Sequence, residues 1–273
     1  MIGRQVIDAG LLERGGIQLQ RDFKRWIGAA PPATGADEAA GQPRSLLSPE
    51  QSGRLLLEHL WRQLPADLQP QRLVLTAPID SYRGYRQWLL EASANLAVPE
   101  VALVDEPTAA AIGAGLPAGS RVLVLDVGGG TTDMAMVHLQ GGEGRAAPIA
   151  QLLRFGGRDL SDSLQSLRTA EVLGKAGLAI GGRDIDRWIA ATLCPDQDAT
   201  GQSQPAGLLA ACEQLKCQLS EQPEALGLWS PGPGTAPREL RLSRPQLEAL
   251  LRENGLLALL DTLLEAVAEE ANY

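Results

Sequence analysis

The feature that most constrains the fold is a glycine-rich acidic run directly after an apolar strand. Val122-Leu123-Val124-Leu125 contains no polar residue, which predicts a strand buried on both faces. The run that follows is Asp126-Val127-Gly128-Gly129-Gly130-Thr131-Thr132-Asp133, and Met134 to Leu139 is predicted to return beside the strand as a hairpin. The chain must therefore place a glycine turn between two acidic residues at the end of a buried strand.

Glycine, threonine and aspartate in this order are suited to holding phosphate and a metal ion. Gly128–Gly130 let backbone N–H groups approach phosphate oxygens without a Cβ in the way, and Thr131 and Thr132 add hydroxyl donors. Asp126 and Asp133 would repel phosphate directly, so they are expected to hold Mg²⁺ through its water shell. The alternative is an ordinary glycine-rich turn with solvated acids.

A second acidic motif follows another predicted strand, Val101 to Val104. Its residues are Asp105-Glu106-Pro107-Thr108-Ala109-Ala110-Ala111, which also begin a helix. Two such strand ends could aim Glu106 and Asp126 into one cleft, where they would hold Mg²⁺ waters or orient an attacking water. The alternative is that Asp105 or Glu106 only caps the helix.

The remaining pattern alternates strands and helices before changing character. Leu73 to Thr76 is predicted as a buried strand and Tyr82 to Leu96 as a helix. Capping boxes at Ser48 and Ser243 begin two further helices, the first with an apolar stripe and the second interrupted at Gly255. The stripe is Leu55, Leu56, Leu60 and Leu64. Paired strands, Ala225 to Trp229 and Arg238 to Leu242, complete a pattern of α/β lobes followed by a small α+β unit.

Charge and composition exclude several function classes. The net charge of −9 repels nucleic-acid phosphates and anionic lipid, so neither is expected as a partner. No apolar run of about 18 residues predicts a membrane span, and no apolar signal segment follows Met1. Three cysteines without CxxC spacing favour the reducing cytoplasm over a disulfide framework and do not predict a zinc site.

These motifs together resemble the seventy-kilodalton heat-shock (DnaK-type) chaperones. The run Asp126–Asp133 is similar to their second phosphate motif, and Glu106–Ile112 is similar to their connecting-helix motif. Thr76-Ala77-Pro78 resembles the strand end with the proline that relays the nucleotide state. Ile2-Gly3-Arg4 and Asp22-x-Lys24-x-Trp26 resemble the segment after the family's catalytic lysine.

Two further matches follow in the family's order. The family's Gly-Gly-acid motif has two candidates, Gly156-Gly157 and Ile180-Gly181-Gly182-Arg183-Asp184-Ile185-Asp186. The later copy is favoured because Asp186 completes the pattern. Ala211-Cys212-Glu213-x-x-Lys216-x-x-Leu219-Ser220 resembles the helix that embraces adenine and ribose. Without the resemblance, Glu213 and Lys216 would be interpreted as an exposed helical ion pair.

The resemblance implies an α/β fold of the actin-like ATPase (ribonuclease H-like) type, here incomplete, with a small α+β subdomain near the C-terminus. It implies three parts: lobe I at 1–120, the lobe II core at 121–186 and the subdomain at 187–273. It implies ATP with Mg²⁺ as cofactors, ATP/ADP and co-chaperones or nucleotide exchange factors as partners, and a cytoplasmic location.

The resemblance also assigns roles to single residues. Asp126, Glu106 and Thr131 would be catalytic, with Asp126, Glu106 and Asp133 near Mg²⁺. The nucleotide would be held by Gly128, Gly129, Gly130, Thr131, Thr132, Gly181, Gly182, Glu213, Lys216 and Ser220.

Departures from the family predict weak or absent ATP hydrolysis. The first phosphate loop, the catalytic lysine and the later adenosine motif have no match, and phosphoryl transfer depends on such clamps. Cys217 stands where the family has an arginine that stacks on adenine, and Asp105 replaces an asparagine. The alternatives are a non-catalytic protein-interaction remnant or another actin-fold ATPase, such as a sugar kinase or filament protein.

Overall fold

A computed structural model of the chain forms two compact units. It describes residues 2–11, 19–20, 22–28, 47–79, 82–139, 150–155, 158–159, 166–167, 170–198, 204–232 and 234–272. One unit, the C-terminal unit, consists of Met1–Arg21, Ala30–Leu47 and Ile180–Leu260. The other, the hairpin unit, consists of Asp22–Ala29, Ser48–Ala179 and Asp261–Tyr273. The sequences from Ala29 to Gln42 and from Gln140 to Arg145, which predict loops, lie outside the described residues, as does the earlier Gly-Gly copy.

The first sheet of the hairpin unit is built around a fully buried strand. β1 (Arg72–Ala77) and β2 (Glu100–Asp105) are parallel, with Ala77 opposite Asp105, and α4 (Tyr82–Ser93) connects them. β5 (Ala150–Phe155) runs antiparallel to β2 and pairs with two short strands, β6 (Arg158–Asp159) and β7 (Ser166–Leu167). All six residues of β2 are buried. The prediction that β1 is buried is wrong, because Val74 is 44 % exposed.

The second sheet carries the predicted hairpin. β3 (Arg121–Val127) and β4 (Thr132–Leu139) are antiparallel, and β4 also pairs with β8 (Ala170–Leu178). Helix α5 (Glu106–Gly113) packs on this sheet, because Ala111 and Ile112 meet one face of the strands. The alternation of strands and helices in this unit agrees with the expected α/β fold.

The prediction that β3 is buried on both faces is wrong. Val122 and Val124 pack into the core beneath α5, but Leu123 and Leu125 are 45 % and 50 % exposed. In the described residues β3 pairs with β4 alone and packs on one side only. An apolar run specifies a strand, but its burial depends on which layers cover it.

Helix α3 (Pro49–Arg62) begins with the predicted capping box, since the Ser48 hydroxyl accepts from the Gln51 N–H and the Gln51 side chain accepts from the Ser48 N–H. Its predicted apolar stripe is wrong, because Leu55, Leu60 and Leu64 are exposed. The helix instead turns Gly53, Leu57 and Trp61 inward. Gly53 decides this orientation, since a Cβ there would lie 2.5 Å from the ring of Trp88.

A short helix, α2 (Phe23–Trp26), is fixed by a close backbone approach. Gly28 follows it with φ of +70°, and a Cβ on Gly28 would lie 2.5 Å from the carbonyl carbon of Gly84. Glycine is required at position 28 both for this left-handed conformation and for the missing Cβ. The contact anchors α2 to the first turn of α4, and Ile27 is fully buried beside it.

The C-terminal unit has a core of its own. It contains α1 (Arg4–Asp8), α6 (Gly182–Leu193), α7 (Pro195–Asp198), α8 (Ala206–Glu221) and α9 (Arg244–Glu253). The antiparallel hairpin of β9 (Glu224–Trp229) and β10 (Arg238–Ser243) confirms the predicted strand pair. Buried side chains from these elements form the core, including Ile189, Leu208, Cys212, Leu215, Leu219, Trp229, Leu240 and Leu242.

The last helical segment is interrupted where the sequence predicts. Ser243 forms the second capping box at the start of α9. Gly255 has φ of +72°, a conformation that ends α9 before α10 (Leu256–Glu270) begins. Within the described part of the chain, no helix combines the length and apolar character needed to cross a membrane. The expected division at 120 and 186 stays a prediction.

Candidate functional site

The glycine run forms the turn between β3 and β4. The Gly128 N–H donates to the Thr131 carbonyl at 2.9 Å, directly after the last strand pair, Val127 with Thr132. Among the described residues, the N–H groups of Gly129 and Gly130 donate no hydrogen bond to the protein. Two adjacent amide donors at a turn without side chains are suited to an anionic ligand.

Asp126 and Asp133 lie directly opposite each other on β3 and β4. Their side chains therefore leave the sheet on the same face, and like charges in this position repel. Both strands direct this face toward α5, since Val124 and Ala135 pack beneath that helix. The hairpin register thus holds two carboxylates beside the glycine turn.

Asp133 is buried, and no described residue supplies a counter-charge to it. The residue is only 1 % exposed, and its Oδ1 accepts a hydrogen bond from the Ile79 N–H at 2.9 Å. Burial raises the pKa of Asp133, and the nearby charges of Glu106 and Asp126 raise it further, against hydrogen bonds from Ile79 and Thr131. No ion pair involves Asp133 in the part of the chain that the structure describes. The site therefore favours the arrival of a cation.

Glu106 lies at the start of α5, and the structure separates its role from that of Asp105. Asp105 is the helix cap: its Oδ1 accepts the Thr108 N–H at 2.9 Å, and its Oδ2 lies 3.6 Å from Lys175 Nζ. Glu106 instead contacts Lys24 Nζ at 2.5 Å. The alternative in which the acid caps the helix therefore applies to Asp105 and not to Glu106.

These residues fit Mg²⁺ held through water better than a metal held by the protein alone. The described residues contain no group of three or more Asp, Glu, His or Cys side chains placed to hold a metal ion. Mg²⁺ commonly keeps several waters and binds one or two carboxylates together with substrate phosphates. Glu106, Asp126 and Asp133 beside free amide donors of the turn meet that requirement.

The other predicted nucleotide residues lie in the C-terminal unit. The Gly181 N–H donates to Asp184 Oδ2 at 2.9 Å, at the start of α6. Lys216 on α8 does not pair with Glu213. Its Nζ lies 2.6 Å from Asp186 Oδ1 and donates to the Gly182 carbonyl at 2.7 Å. These contacts tie α8 to the start of α6.

Glu213 and Ser220 are exposed on α8, and Thr132 is buried at the start of β4.

The predicted site residues fall into two groups. The structure brings Asp126, Asp133, Glu106 and the glycine turn together in the hairpin unit. It gathers Gly181, Gly182 and Lys216 at a second place in the C-terminal unit. The nucleotide-binding roles of both groups stay predictions.

Two cations beside the glycine turn, Lys24 and Arg25, have no role among the predictions from the sequence. Lys24 pairs with Glu106, and the Arg25 stem lies against Gly130, where a Cβ would be 3.5 Å from Arg25 Cβ. An Arg25 guanidinium nitrogen also donates to the Ala179 carbonyl. Adjacent basic residues in a short helix were the available signal, but only the anchoring of α2 reveals where they point.

The chain is similar to two groups of known proteins. Residues 52–169 match the MreB/Mbl protein family model. A Chaperone protein HscA homolog of Acidithiobacillus ferrooxidans is 30 % identical over 189 residues, which cover 67 % of this chain and 26 % of that protein. A ribosome-associated molecular chaperone of Eremothecium gossypii is 29 % identical over 193 residues, covering 67 % of this chain and 30 % of the relative.

The Cell shape-determining protein MreB of Escherichia coli is 35 % identical over 91 residues, covering 32 % of this chain and 26 % of that protein. The chain thus spans less than a third of the length of these curated relatives.

Proposed function

Because this chain has the actin-like ATPase fold and is related to the heat-shock 70 kDa-type chaperones, we propose that it is an ATP-binding protein of that chaperone type. The proposal places the phosphates of Mg-ATP at the turn Gly128–Thr131. The observation that carries it is the facing pair of carboxylates, Asp126 and Asp133. Asp133 is buried, and among the described residues it has no cation and the adjacent glycine amides have no acceptor.

Each group at the turn has a distinct task in this proposal. The amides of Gly129 and Gly130 donate to phosphate oxygens, and Thr131 adds a hydroxyl donor. Asp126, Asp133 and Glu106 hold the water shell of Mg²⁺, which when bound neutralises phosphate charge. The proposal also assigns Gly181, Gly182, Glu213, Lys216 and Ser220 to the nucleoside.

We expect this chain to hydrolyse ATP weakly or not at all. Phosphoryl transfer requires several positioned donors and cations, and the loss of one can lower the rate by about 10²–10³-fold. The wider activity, with ADP, co-chaperones or nucleotide exchange factors as partners in the cytoplasm, belongs to the same proposal. A turnover equal to that of intact chaperones would contradict the part concerning hydrolysis.

A calorimetric titration with Mg-ATP tests the proposal. Asp126→Asn keeps the shape of the side chain and removes one of the two facing charges, so it should weaken Mg-ATP binding by about tenfold or more. Asp67→Asn is the matched control, since Asp67 is exposed in the same unit and outside the site. A folded wild-type chain that binds no Mg-ATP would refute the proposal and favour the protein-interaction alternative.

The similarity to MreB favours a second candidate, another actin-fold ATPase. Sedimentation of the chain with and without Mg-ATP separates the two candidates. Nucleotide-dependent pelleting would favour the second candidate, whereas a chain that binds nucleotide and stays in the supernatant would favour the chaperone type.

A further inference from the structure

One ion pair joins the two sheets of the hairpin unit next to the candidate site. Asp105 ends β2 in the first sheet, and Lys175 lies on β8 in the second sheet. The Asp105 Oδ2 lies 3.6 Å from the Lys175 Nζ. The Asp105 side chain is 10 % exposed and the Lys175 side chain is 31 % exposed, so solvent screens this pair only in part.

The two carboxylate oxygens of Asp105 have separate contacts. Oδ1 accepts the Thr108 N–H at 2.9 Å and so caps α5, while Oδ2 faces Lys175. Glu106 follows directly in the first turn of this helix. Asp105 stands where the resembled family has an asparagine, so this chain carries an additional negative charge here, and Lys175 supplies its counter-charge.

Strand pairing directs Lys175 toward α5. On β8, Lys175 lies opposite Ala135 and Gly177 lies opposite Asp133. Opposite residues share a face of the sheet, and Ala135 packs beneath α5, so the Lys175 side chain leaves β8 on the face that also carries Asp133. Lys175 nevertheless pairs with Asp105, and it thereby ties the start of α5 to the sheet that carries Asp133.

We propose that Lys175 is a positioning residue that acts on Glu106 through Asp105. It fixes the Glu106 carboxylate at the distance from Asp126 and Asp133 at which all three can hold one hydrated metal ion. This inference rests on the proposed function. Carboxylates gathered in this way repel one another, so the start of α5 needs a contact that holds it to the sheet. Residues that orient the ligands of a metal ion commonly contribute about 10–100-fold to its affinity.

Calorimetric titration of Lys175 variants with Mg-ATP tests this inference. Lys175→Met should weaken binding by about tenfold, because Glu106 loses its fixed position. Lys175→Arg keeps a cation for Asp105 and should bind within about threefold of the wild type. Asp105→Asn is the milder variant, since it keeps an acceptor for the Thr108 N–H and leaves no buried carboxylate without a partner. It should weaken binding by about threefold or more.

A double-variant cycle with Glu106→Gln separates positioning from a general loss of structure. If Lys175 acts through Glu106, Lys175→Met should change Mg-ATP binding by less than about twofold once Glu106→Gln is present. A purely structural loss would instead add fully to the effect of Glu106→Gln. Equal effects of Lys175→Met in both backgrounds would therefore overturn the inference.

Arg72→Met is the matched control. The Arg72 Nε lies 2.6 Å from the Glu100 Oε1 at the opposite end of β2, and the Glu100 side chain is 11 % exposed. Its loss should destabilise the same sheet without changing Mg-ATP affinity. In the nucleotide-free chain, hydrogen exchange at 106–113 should be faster in Lys175→Met and unchanged in Arg72→Met.

The outcomes distinguish this inference from the proposed function. A folded Lys175→Met variant that binds Mg-ATP as the wild type does would make the inference wrong and leave the proposed function in place. A loss of affinity in Arg72→Met equal to that in Lys175→Met would also overturn the inference. A folded wild-type chain that binds no Mg-ATP would overturn both.

Discussion

Two buried aspartates, Asp186 in the C-terminal unit and Asp133 in the hairpin unit, differ in whether a cation lies beside them. Asp186 in the C-terminal unit is 4 % exposed and lies 2.6 Å from Lys216 Nζ. Asp133 in the hairpin unit is 1 % exposed and receives an amide hydrogen bond, but among the described residues it has no cation. Burial raises the pKa of both groups, yet Lys216 opposes that rise only for Asp186.

The difference lies in the counter-charge: Asp186 has a cation in contact with it, whereas Asp133 belongs to the site that we propose for Mg-ATP. A buried carboxylate that is already paired stabilises the contact between α6 and α8 and has little need of a ligand. A buried carboxylate that faces two others without a cation costs stability, and such a cost is typical of binding sites. The comparison can be tested by removing one charge at a time.

The largest effect should follow the loss of Lys216. Lys216→Met leaves Asp186 buried without its cation, which should destabilise the C-terminal unit by about 3–5 kcal/mol. Hydrogen-exchange mass spectrometry of residues 206–221 measures this unit separately from the rest of the chain. The double variant with Asp186→Leu should recover most of the loss. A cost below about 1 kcal/mol would show that Lys216 does not stabilise the buried charge.

A moderate effect of opposite sign should follow the neutralisation of Asp133. Asp133→Asn keeps an acceptor for the Ile79 N–H and removes the uncompensated charge, so at pH 7 it should stabilise the hairpin unit by about 1–2 kcal/mol. The same variant should bind Mg-ATP more weakly than the wild type. Destabilisation measured by hydrogen exchange at 132–139 would contradict the comparison, since Asp133 would then be a stabilising charge.

The gain from Asp133→Asn should depend on pH. The pKa of Asp133 is raised in the folded state, so as pH rises the unfolded chain loses this proton first and wild-type stability falls between the two pKa values. Below the unfolded pKa the carboxyl is protonated in both states, and the variant has no advantage. Denaturation at a series of pH values from about 3.5 to neutrality should show the gain growing with pH; a gain independent of pH would point to packing instead.

The smallest effect should come from an exposed ion pair. Arg252 and Glu248 on α9 lie 3.7 Å apart, and both side chains are more than half exposed. Arg252→Met should therefore change the stability of the C-terminal unit by no more than about 0.5 kcal/mol. Urea denaturation of this variant beside Lys216→Met compares the two pairs directly. A cost like that of Lys216→Met would mean that burial does not decide the value of a charge pair.

Local chemistry was sufficient to predict much of the fold. The capping boxes at Ser48 and Ser243, the break at Gly255 and the hairpin around the glycine turn all follow from neighbouring residues. Burial could not be predicted in the same way. Leu55 and Leu125 are apolar yet exposed, because the layers that cover a helix or strand are set by distant parts of the chain.

The sequence by itself determined which groups the candidate site contains, since glycine, threonine and aspartate occur consecutively in one turn. Only the tertiary structure decided how their charges are balanced. The contacts of Lys24 with Glu106 and of Ile79 with Asp133 span 82 and 54 residues, and Lys216 reaches Gly182 across 34. Such pairs form because packed helices and strands bring remote side chains together, and no periodicity along the chain records that approach.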